Sequence, residues 1–86
     1  MKRYEIIFAR SARKEVEDLN ELLSEKIFFK IDELVLNPRP PGCEKIKGSQ
    51  NRWRIRVGDY RVIYFINDKI CLLEILIIRH RRDVYR

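Results

Sequence analysis

Three arginines alternate with apolar residues near the middle of the chain, a pattern typical of a β-strand with two unlike faces. Residues 52–61 read Arg-Trp-Arg-Ile-Arg-Val-Gly-Asp-Tyr-Arg. Because successive side chains of a strand point to opposite faces, Arg52, Arg54 and Arg56 should share one face, and the apolar residues the other. A guanidinium group stays protonated, and its planar fork binds phosphate through two parallel hydrogen bonds. The pattern therefore predicts a strand face that receives negative charge.

A turn signal directly follows this strand. Gly58-Asp59 has the chemistry of a two-residue hairpin loop, because glycine tolerates a positive φ and aspartate can adopt one. Such a loop would pair Val57 with Tyr60 and place Arg56 directly opposite Arg61. Two like charges in this position repel each other, so a purely structural sheet would avoid them. The conflict indicates a site built to receive an anion.

The formal net charge of +6 comes entirely from the second half of the chain. Up to Cys43 there are eight Lys or Arg and eight Asp or Glu; from Glu44 onward there are eleven basic and five acidic residues. Eight of these eleven basic residues are arginine. Since arginine suits phosphate recognition better than lysine, the excess favours a polyanionic partner, either nucleic acid or an acidic peptide. The alternative is a solvated basic surface.

Length and composition predict one small globular domain over residues 1–86. The apolar run Ile70–Ile78 is too short to span a membrane, and the N-terminus lacks the apolar stretch of a signal peptide. Cys43 and Cys71 show neither metal-ligand spacing nor a disulfide framework. We therefore expect a reduced, cytoplasmic protein without a metal or cofactor.

Apolar spacing in the first half predicts one strand and then two helices. The strand should cover Arg3–Ala9, and Ser11 and Ser24 have the chemistry of helix N-caps. The first helical stripe is Ala12, Val16, Leu19 and Leu23. The second stripe is Ile27, Phe28, Ile31, Leu34 and Val35. Asn37-Pro38 should end the second helix, because the residue before proline avoids the α region.

The second half predicts four strands. They are expected over residues 44–47, 52–57, 60–66 and 70–78. Asn67-Asp68 is a second tight-turn signal, and a two-residue loop there would place Glu74 opposite Arg61, where it could tether that arginine. The order β-α-α-β-β-β-β predicts an α+β fold in which a two-helix hairpin packs on a mostly antiparallel sheet.

Two motifs in the second half are specific in combination. They are Trp-Arg-Ile-Arg-Val-Gly-Asp-Tyr-Arg-Val-Ile-Tyr at residues 53–64 and His-Arg-Arg-Asp-Val-Tyr at residues 80–85. Tyr-Glu-Ile-Ile-Phe, the helix over residues 12–19 and Asn37-Pro38 precede them. With these motifs in this order, the chain resembles the RelE/ParE superfamily of bacterial and archaeal toxins over nearly its whole length. The resemblance implies a RelE-like fold and a cognate antitoxin protein as partner.

Superfamily members of the RelE kind are ribosome-dependent endoribonucleases, so the resemblance implies cleavage of mRNA in the ribosomal A site and inhibition of translation. RNA can be cut without a metal when its own 2′-hydroxyl attacks the adjacent phosphorus. The products are a 2′,3′-cyclic phosphate and a 5′-hydroxyl. The enzyme must neutralise the phosphorane, help deprotonate the 2′-hydroxyl and protonate the leaving oxygen. Clustered arginines suit the first of these tasks.

The resemblance assigns catalytic roles to residues that match the family motifs. These residues are Arg54, Arg56, Arg61, Arg81 and Tyr85. Tyr85 matches a terminal tyrosine that can assist proton transfer or stack on an mRNA base, and base–aromatic stacking contributes ~1–3 kcal/mol.

One position departs from some relatives, which carry lysine where this chain has Arg56. Because arginine stays protonated, Arg56 is better suited to hold phosphate than to act as a base. The base could be His80, with an ordinary pKa of about 6.5, or a group on the ribosome, or there could be no strong base. Further candidate RNA contacts are Lys45, Lys47, Arg52 and Arg82.

Two other functions compete with mRNA cleavage. A ParE-like toxin of the same fold would bind DNA gyrase and cut nothing. A small nucleic-acid-binding module would show salt-dependent binding without strand scission. The basic tail with its tyrosine favours the ribonuclease.

Overall fold

The computed structural model describes residues 2–84. In this part of the chain, the elements follow the predicted order of one strand, two helices and four strands, and a short helix comes last. They are β1 (Glu5–Phe8), α1 (Arg10–Glu17), α2 (Glu21–Glu33), β2 (Glu44–Lys45), β3 (Arg52–Val57), β4 (Tyr60–Asn67), β5 (Leu72–His80) and α3 (Arg81–Val84). The predicted α+β fold is confirmed, whereas the outer strands β1 and β2 are shorter than predicted.

The five strands described form one mixed sheet in the order β1-β5-β4-β3-β2. β1 runs parallel to β5, and the other neighbours are antiparallel. Helix α1 packs against β5 and α2 against β3, so both helices cover the same face of the sheet. Within residues 2–84, no helix is long and apolar enough to cross a bilayer.

The core lies between the two helices and this covered face. Its most deeply buried side chains are Ala12, Val16, Ile27, Ile31, Leu34, Val62, Tyr64, Ile66, Leu73, Ile75 and Ile78. Tyr64 is the largest of them, and its hydroxyl donates a hydrogen bond of 2.7 Å to the carbonyl of Pro38. Burial raises the pKa of the Tyr64 phenol, which therefore remains a donor and ties the loop after α2 to the middle of the sheet.

The helix boundaries differ from the prediction. Ala9, not Ser11, precedes the first turn of α1, which already ends at Glu17. Asn20 caps α2 by accepting a hydrogen bond of 2.9 Å from the backbone N–H of Leu23, because its extended backbone turns the amide oxygen towards the first turn. Ser24 lies inside α2, where its hydroxyl donates to the carbonyl of Glu21 instead of capping the helix.

The hairpin between β3 and β4 has the predicted two-residue loop. Val57 is paired with Tyr60 and Arg56 with Arg61. Gly58 has a φ of +60°, a conformation that glycine adopts without the steric cost that a Cβ would impose. The predicted faces of β3 are also confirmed, since Ile55 and Val57 are buried whereas Arg52 and Arg56 are exposed.

The connection between β4 and β5 is longer than the predicted tight turn. It spans residues 68–71, and the side-chain oxygen of Asn67 accepts hydrogen bonds from the backbone N–H groups of Lys69 and Ile70. The longer loop shifts the pairing, so Glu74 lies opposite Phe65. The prediction that Glu74 would tether Arg61 is therefore wrong.

A polar cluster ties together four distant segments at the edge of the fold. Asp68 accepts two hydrogen bonds from the guanidinium of Arg39 (3.3 and 2.9 Å) and one from the hydroxyl of Tyr4 (2.6 Å). The Arg39 guanidinium also lies 5.0 Å from the centroid of the Trp53 ring. The hydrogen bond from Arg39, which has the largest effect, and the one from Tyr4 hold the pKa of Asp68 below its usual value. The ion pair between Arg39 and Asp68 therefore stabilises the fold only while Asp68 is ionised.

We expect Asp68→Asn to lower the melting temperature by a few degrees at neutral pH. A depressed carboxyl pKa contributes stability above the unfolded-state value of about 3.9, and this contribution is lost as the pH falls through the folded-state pKa. The difference in melting temperature between wild type and variant should therefore shrink in acid. Asp32→Asn, on the exposed side of α2, is the control with the same charge change. A difference that does not depend on pH would contradict this role.

Candidate nucleic-acid interface

A row of three arginines crosses the sheet face that the helices leave open. Arg61 on β4 is paired with Arg56 on β3 and with Arg79 on β5, so all three side chains start from the same line across the sheet. Directly opposite residues have Cβ atoms about 4.5–5.5 Å apart, so the three side chains start close together. Such a row is a strong local source of positive potential.

Arg61 lies at the centre of the row and is almost completely buried, with 6% of its surface exposed. Arg56 and Arg79, which flank it, are exposed. Removing a guanidinium from water costs free energy, and the adjacent cations add repulsion. A row of this kind can receive an anion such as phosphate, because guanidinium groups pair with phosphate oxygens.

Arg79 was absent from the predicted site, and the path of β5 explains why. The register between β4 and β5 shifts in the middle of the two strands. Ile63 pairs with Ile77, but the next residue, Tyr64, pairs with Ile75. Leu76 is therefore an extra residue in β5, a β-bulge. Without this bulge, every residue beyond it would point to the opposite face, and Arg79 would lie on the helix side. No local sequence signal marks the bulge.

An ion pair lies beside the row, on β3 and its neighbour β2. The Arg54 guanidinium forms an ion pair of 2.9 Å with the Glu44 carboxylate on the neighbouring strand β2. Gly42, Glu44, Arg54, Arg56 and Arg61 together line a small cleft at this end of the open face. Glu44 was not predicted as a site residue. Among the residues that line this cleft, Glu44 is the one with an acidic side chain.

The start of α3 is fixed to the hairpin turn beside the row. The backbone N–H of Arg81 donates a hydrogen bond of 2.7 Å to the carbonyl of Asp59. Arg81 and Arg82 are exposed at this corner of the sheet. Tyr85, the remaining predicted catalytic residue, lies outside the described residues.

The structure places His80 on the other face of the sheet. It is paired with Tyr60, and the two rings meet edge to face with centroids 5.3 Å apart. Its Nδ1 accepts a hydrogen bond of 3.2 Å from the backbone N–H of Arg82, which places the proton of the neutral ring on Nε2. This position favours a structural role at the start of α3 over proton transfer at the arginine row.

The other predicted RNA contacts surround the row. Arg52 is exposed at the start of β3 and shares the face of Arg54 and Arg56. Lys45 and Lys47 are exposed at the β2 edge of the sheet. These cations widen the basic surface without belonging to the cleft.

Known proteins with similar sequences are toxins. Residues 6–85 match a family model described as the ParE toxin of the type II toxin-antitoxin system parDE. The toxin RelE3 of Methanocaldococcus jannaschii is 32% identical over 85 residues, covering 93% of each chain. The toxin RelG of Mycobacterium tuberculosis is 29% identical over 84 residues, covering 96% of this chain and 97% of RelG.

Solved structures show the same fold. A chain of the archaeal RelE-RelB complex from Pyrococcus horikoshii OT3 matches with a TM-score of 0.82 and 27% identity, covering 92% of this chain and 96% of that one. The isolated Escherichia coli RelE toxin matches with a TM-score of 0.81 at 24% identity, covering 95% of this chain and 90% of that one, which shows the fold alone. This chain therefore belongs to the RelE/ParE superfamily of toxins from type II toxin–antitoxin systems.

Proposed function

We propose that this toxin cleaves mRNA on the ribosome by attack of a 2′-hydroxyl on the adjacent phosphodiester. The observation that carries the proposal is the row of Arg56, Arg61 and Arg79 on the open face of the sheet. A surface that concentrates three permanent cations matches the charge that develops on a phosphorane. The RelE-named relatives support the same activity.

The proposed reaction requires little covalent chemistry from the protein. The 2′-oxygen forms a bond to phosphorus and the bond to the 5′-oxygen breaks, while one proton leaves the 2′-hydroxyl and another joins the 5′-oxygen. The buried Arg61 stabilises the non-bridging oxygens, and Arg56 and Arg79 orient the phosphate from either side. Because Arg61 is already held out of water, little reorganisation is needed when the charge develops.

Glu44 is our candidate for the proton acceptor. Its carboxylate lines the cleft beside the arginines, and the 2.9 Å ion pair with Arg54 holds it at the rim. A carboxylate can accept the 2′-hydroxyl proton, which a guanidinium cannot. This role suits Glu44 better than His80, because His80 lies on the opposite sheet face with Nδ1 already engaged.

The proposed function includes an antitoxin that holds the toxin inactive. Relatives of the same fold were crystallised as RelE-RelB and RelBE complexes. The basic surface of this chain, with its net charge of +6, favours a partner segment that carries acidic residues.

Gyrase inhibition is the second candidate function, because the matching family model is described as a ParE toxin. It requires no catalytic row and no proton acceptor. A ribosome-programmed cleavage assay and a gyrase supercoiling assay on the same purified protein distinguish the two.

We expect cleavage of mRNA bound in ribosomes and little cleavage of the same RNA in free solution. The row lies on an open face that does not enclose a nucleotide, so the substrate must be oriented from outside. The measurement is mapping of 5′-hydroxyl ends, with and without ribosomes. Rapid cleavage of free RNA would contradict ribosome dependence, and inhibition of supercoiling without any cleavage would favour gyrase.

We expect Arg61→Ala and Arg79→Ala each to reduce the cleavage rate on ribosomes by ~10²–10³-fold, because each removes a donor that stabilises the transition state. The free energy of unfolding should be unchanged or raised in Arg79→Ala, since a repulsion between neighbouring cations is removed. Lys69→Ala, in the exposed turn after β4, is the control. Wild-type cleavage by a folded Arg79→Ala variant would remove Arg79 from the site.

We expect Glu44→Gln to reduce cleavage by ~10²-fold, the usual contribution of general base catalysis. Glutamine can still accept a hydrogen bond from Arg54 but cannot take up the proton. Glu5→Gln, exposed on β1, is the matched control. Cleavage at the wild-type rate by a folded Glu44→Gln variant would contradict the role of Glu44 as proton acceptor.

A further inference from the structure

A second row of side chains crosses the open face of the sheet, apart from the arginine row. Arg52 on β3 is paired with Phe65 on β4. Phe65 is paired with Glu74 on β5, and Glu74 with Ile7 on β1. The chain neighbours of Phe65 and Glu74 on both sides are buried in the core, so these two side chains lie on the open face. Phe65 is four residues along β4 from Arg61, which places the two rows about 13 Å apart.

An aliphatic strip joins the two rows. Ile63 on β4 lies between them, is paired with Arg54 and Ile77, and is partly exposed, as is Ile77. Beside this strip, Arg52, Arg54 and Arg56 follow one line along β3. Proteins that bind single-stranded nucleic acid combine such a basic track for the phosphates with an aromatic side chain on which a base stacks. The open face therefore has the composition of a single-strand binding surface.

Glu74 is an acidic residue on this otherwise basic and apolar face. Its side chain is partly buried between Phe65 and Ile7, and it forms no hydrogen bond or ion pair with any of residues 2–84. Partial removal of a carboxylate from water without a partner costs free energy. Because a carboxylate repels phosphate and has only acceptor atoms, its role in an RNA site is to accept hydrogen bonds from a base.

Guanine is the base whose donors fit a carboxylate. Its Watson–Crick edge carries two adjacent donors, N1–H and the N2 amino group, and the two oxygens of a carboxylate can accept both in parallel. Cytosine and adenine each offer one amino donor beside an acceptor nitrogen, and uracil offers one N–H between two carbonyl groups. Single-stranded RNA leaves this edge free for recognition by a protein. A carboxylate therefore forms two hydrogen bonds with guanine and one with each of the other bases.

We propose that Phe65 and Glu74 form a guanine-binding subsite on the open face of the sheet. The ring of Phe65 stacks on the base, the Glu74 carboxylate accepts hydrogen bonds from N1–H and N2, and Arg52 pairs with a neighbouring phosphate. The inference rests on the proposed function and adds a specificity-determining site to it. Because the two rows lie about 13 Å apart, the bound guanine is separated from the phosphate that is cleaved, and Glu74 takes no part in proton transfer there.

The test measures binding of RNA that cannot be cleaved, so it does not depend on activity. The probes are uridine heptamers with 2′-O-methyl riboses, which lack the attacking hydroxyl, and their central base is guanine, adenine, cytosine or uracil. Binding to the purified chain is measured by fluorescence anisotropy at low salt, where phosphate contacts are strongest. The variants are Glu74→Gln and Phe65→Leu. The matched controls are Glu17→Gln and Phe29→Leu, which are exposed on the helices.

We expect the wild-type chain to bind the guanine heptamer about 10-fold more tightly than the other three, the discrimination that a pair of parallel hydrogen bonds provides. Glu74→Gln should prefer adenine instead, because the glutamine amide offers one acceptor to N6 and one donor to N1. A merely structural role of Glu74 would not produce this change of preference.

Phe65→Leu keeps the apolar bulk but removes the aromatic face. We expect this variant to bind every heptamer about 10-fold more weakly than wild type, because every base can stack on an aromatic ring. Both control variants should bind like wild type.

Equal binding of all four heptamers by the wild-type chain would overturn the subsite. Retention of the guanine preference in Glu74→Gln would also overturn it. On ribosomes, the cleavage sites of the wild type should be enriched in guanine at a fixed distance from the cut, and Glu74→Gln should lose this enrichment. Absence of any cleavage on ribosomes would contradict the proposed function itself, while the heptamer comparison would still decide the subsite.

Discussion

The burial of a charged side chain, Arg61, in a row with two other arginines is the physical constraint on which the rest of the structure depends. The open face of the sheet holds Arg56, Arg61 and Arg79 in register, with Arg61 almost completely buried. The opposite face of the same strands supplies the compensating interactions, since Val62 and Tyr64 are fully buried beneath the helices. Close packing of that core fixes the strands, so the backbone positions of the three arginines cannot shift without loss of buried apolar surface.

Three local features place the charges. The Gly58 turn sets Arg56 opposite Arg61, the turn after Asn67 sets the start of β5, and the bulge at Leu76 brings Arg79 to the open face. A shift of one residue at any of these points would exchange the faces of a strand, burying arginines and exposing core residues. The fold and the site therefore depend on the same register.

The open face of the sheet and the surface of α2 meet at the outer edge of β3. β2 is so short that the outer part of β3 remains an edge, and Arg56 lies at this edge between the open face and the surface of α2.

The sequence by itself determined the elements with strong local signals. Strand alternation over residues 52–57, the Gly58-Asp59 turn and the apolar stripe of Ile27 and Ile31 all predicted the correct structure, because their physical causes lie within a few residues. The arginine pair of Arg56 and Arg61 followed from the turn alone. The sequence motifs also predicted the family, and the order of elements predicted a two-helix layer packed on a sheet.

Only the tertiary structure decided the features that depend on register between distant segments. Glu74 was expected opposite Arg61, but a four-residue turn and a bulge put Arg79 there instead. His80 is the first residue of the C-terminal family motif, yet the same register places it on the helix side of the sheet. Glu44 enters the cleft because β2 pairs with Arg54 across ten positions of sequence. Loop length and bulge position have weak local signals, since the packing of the finished core selects the register that buries the most apolar surface.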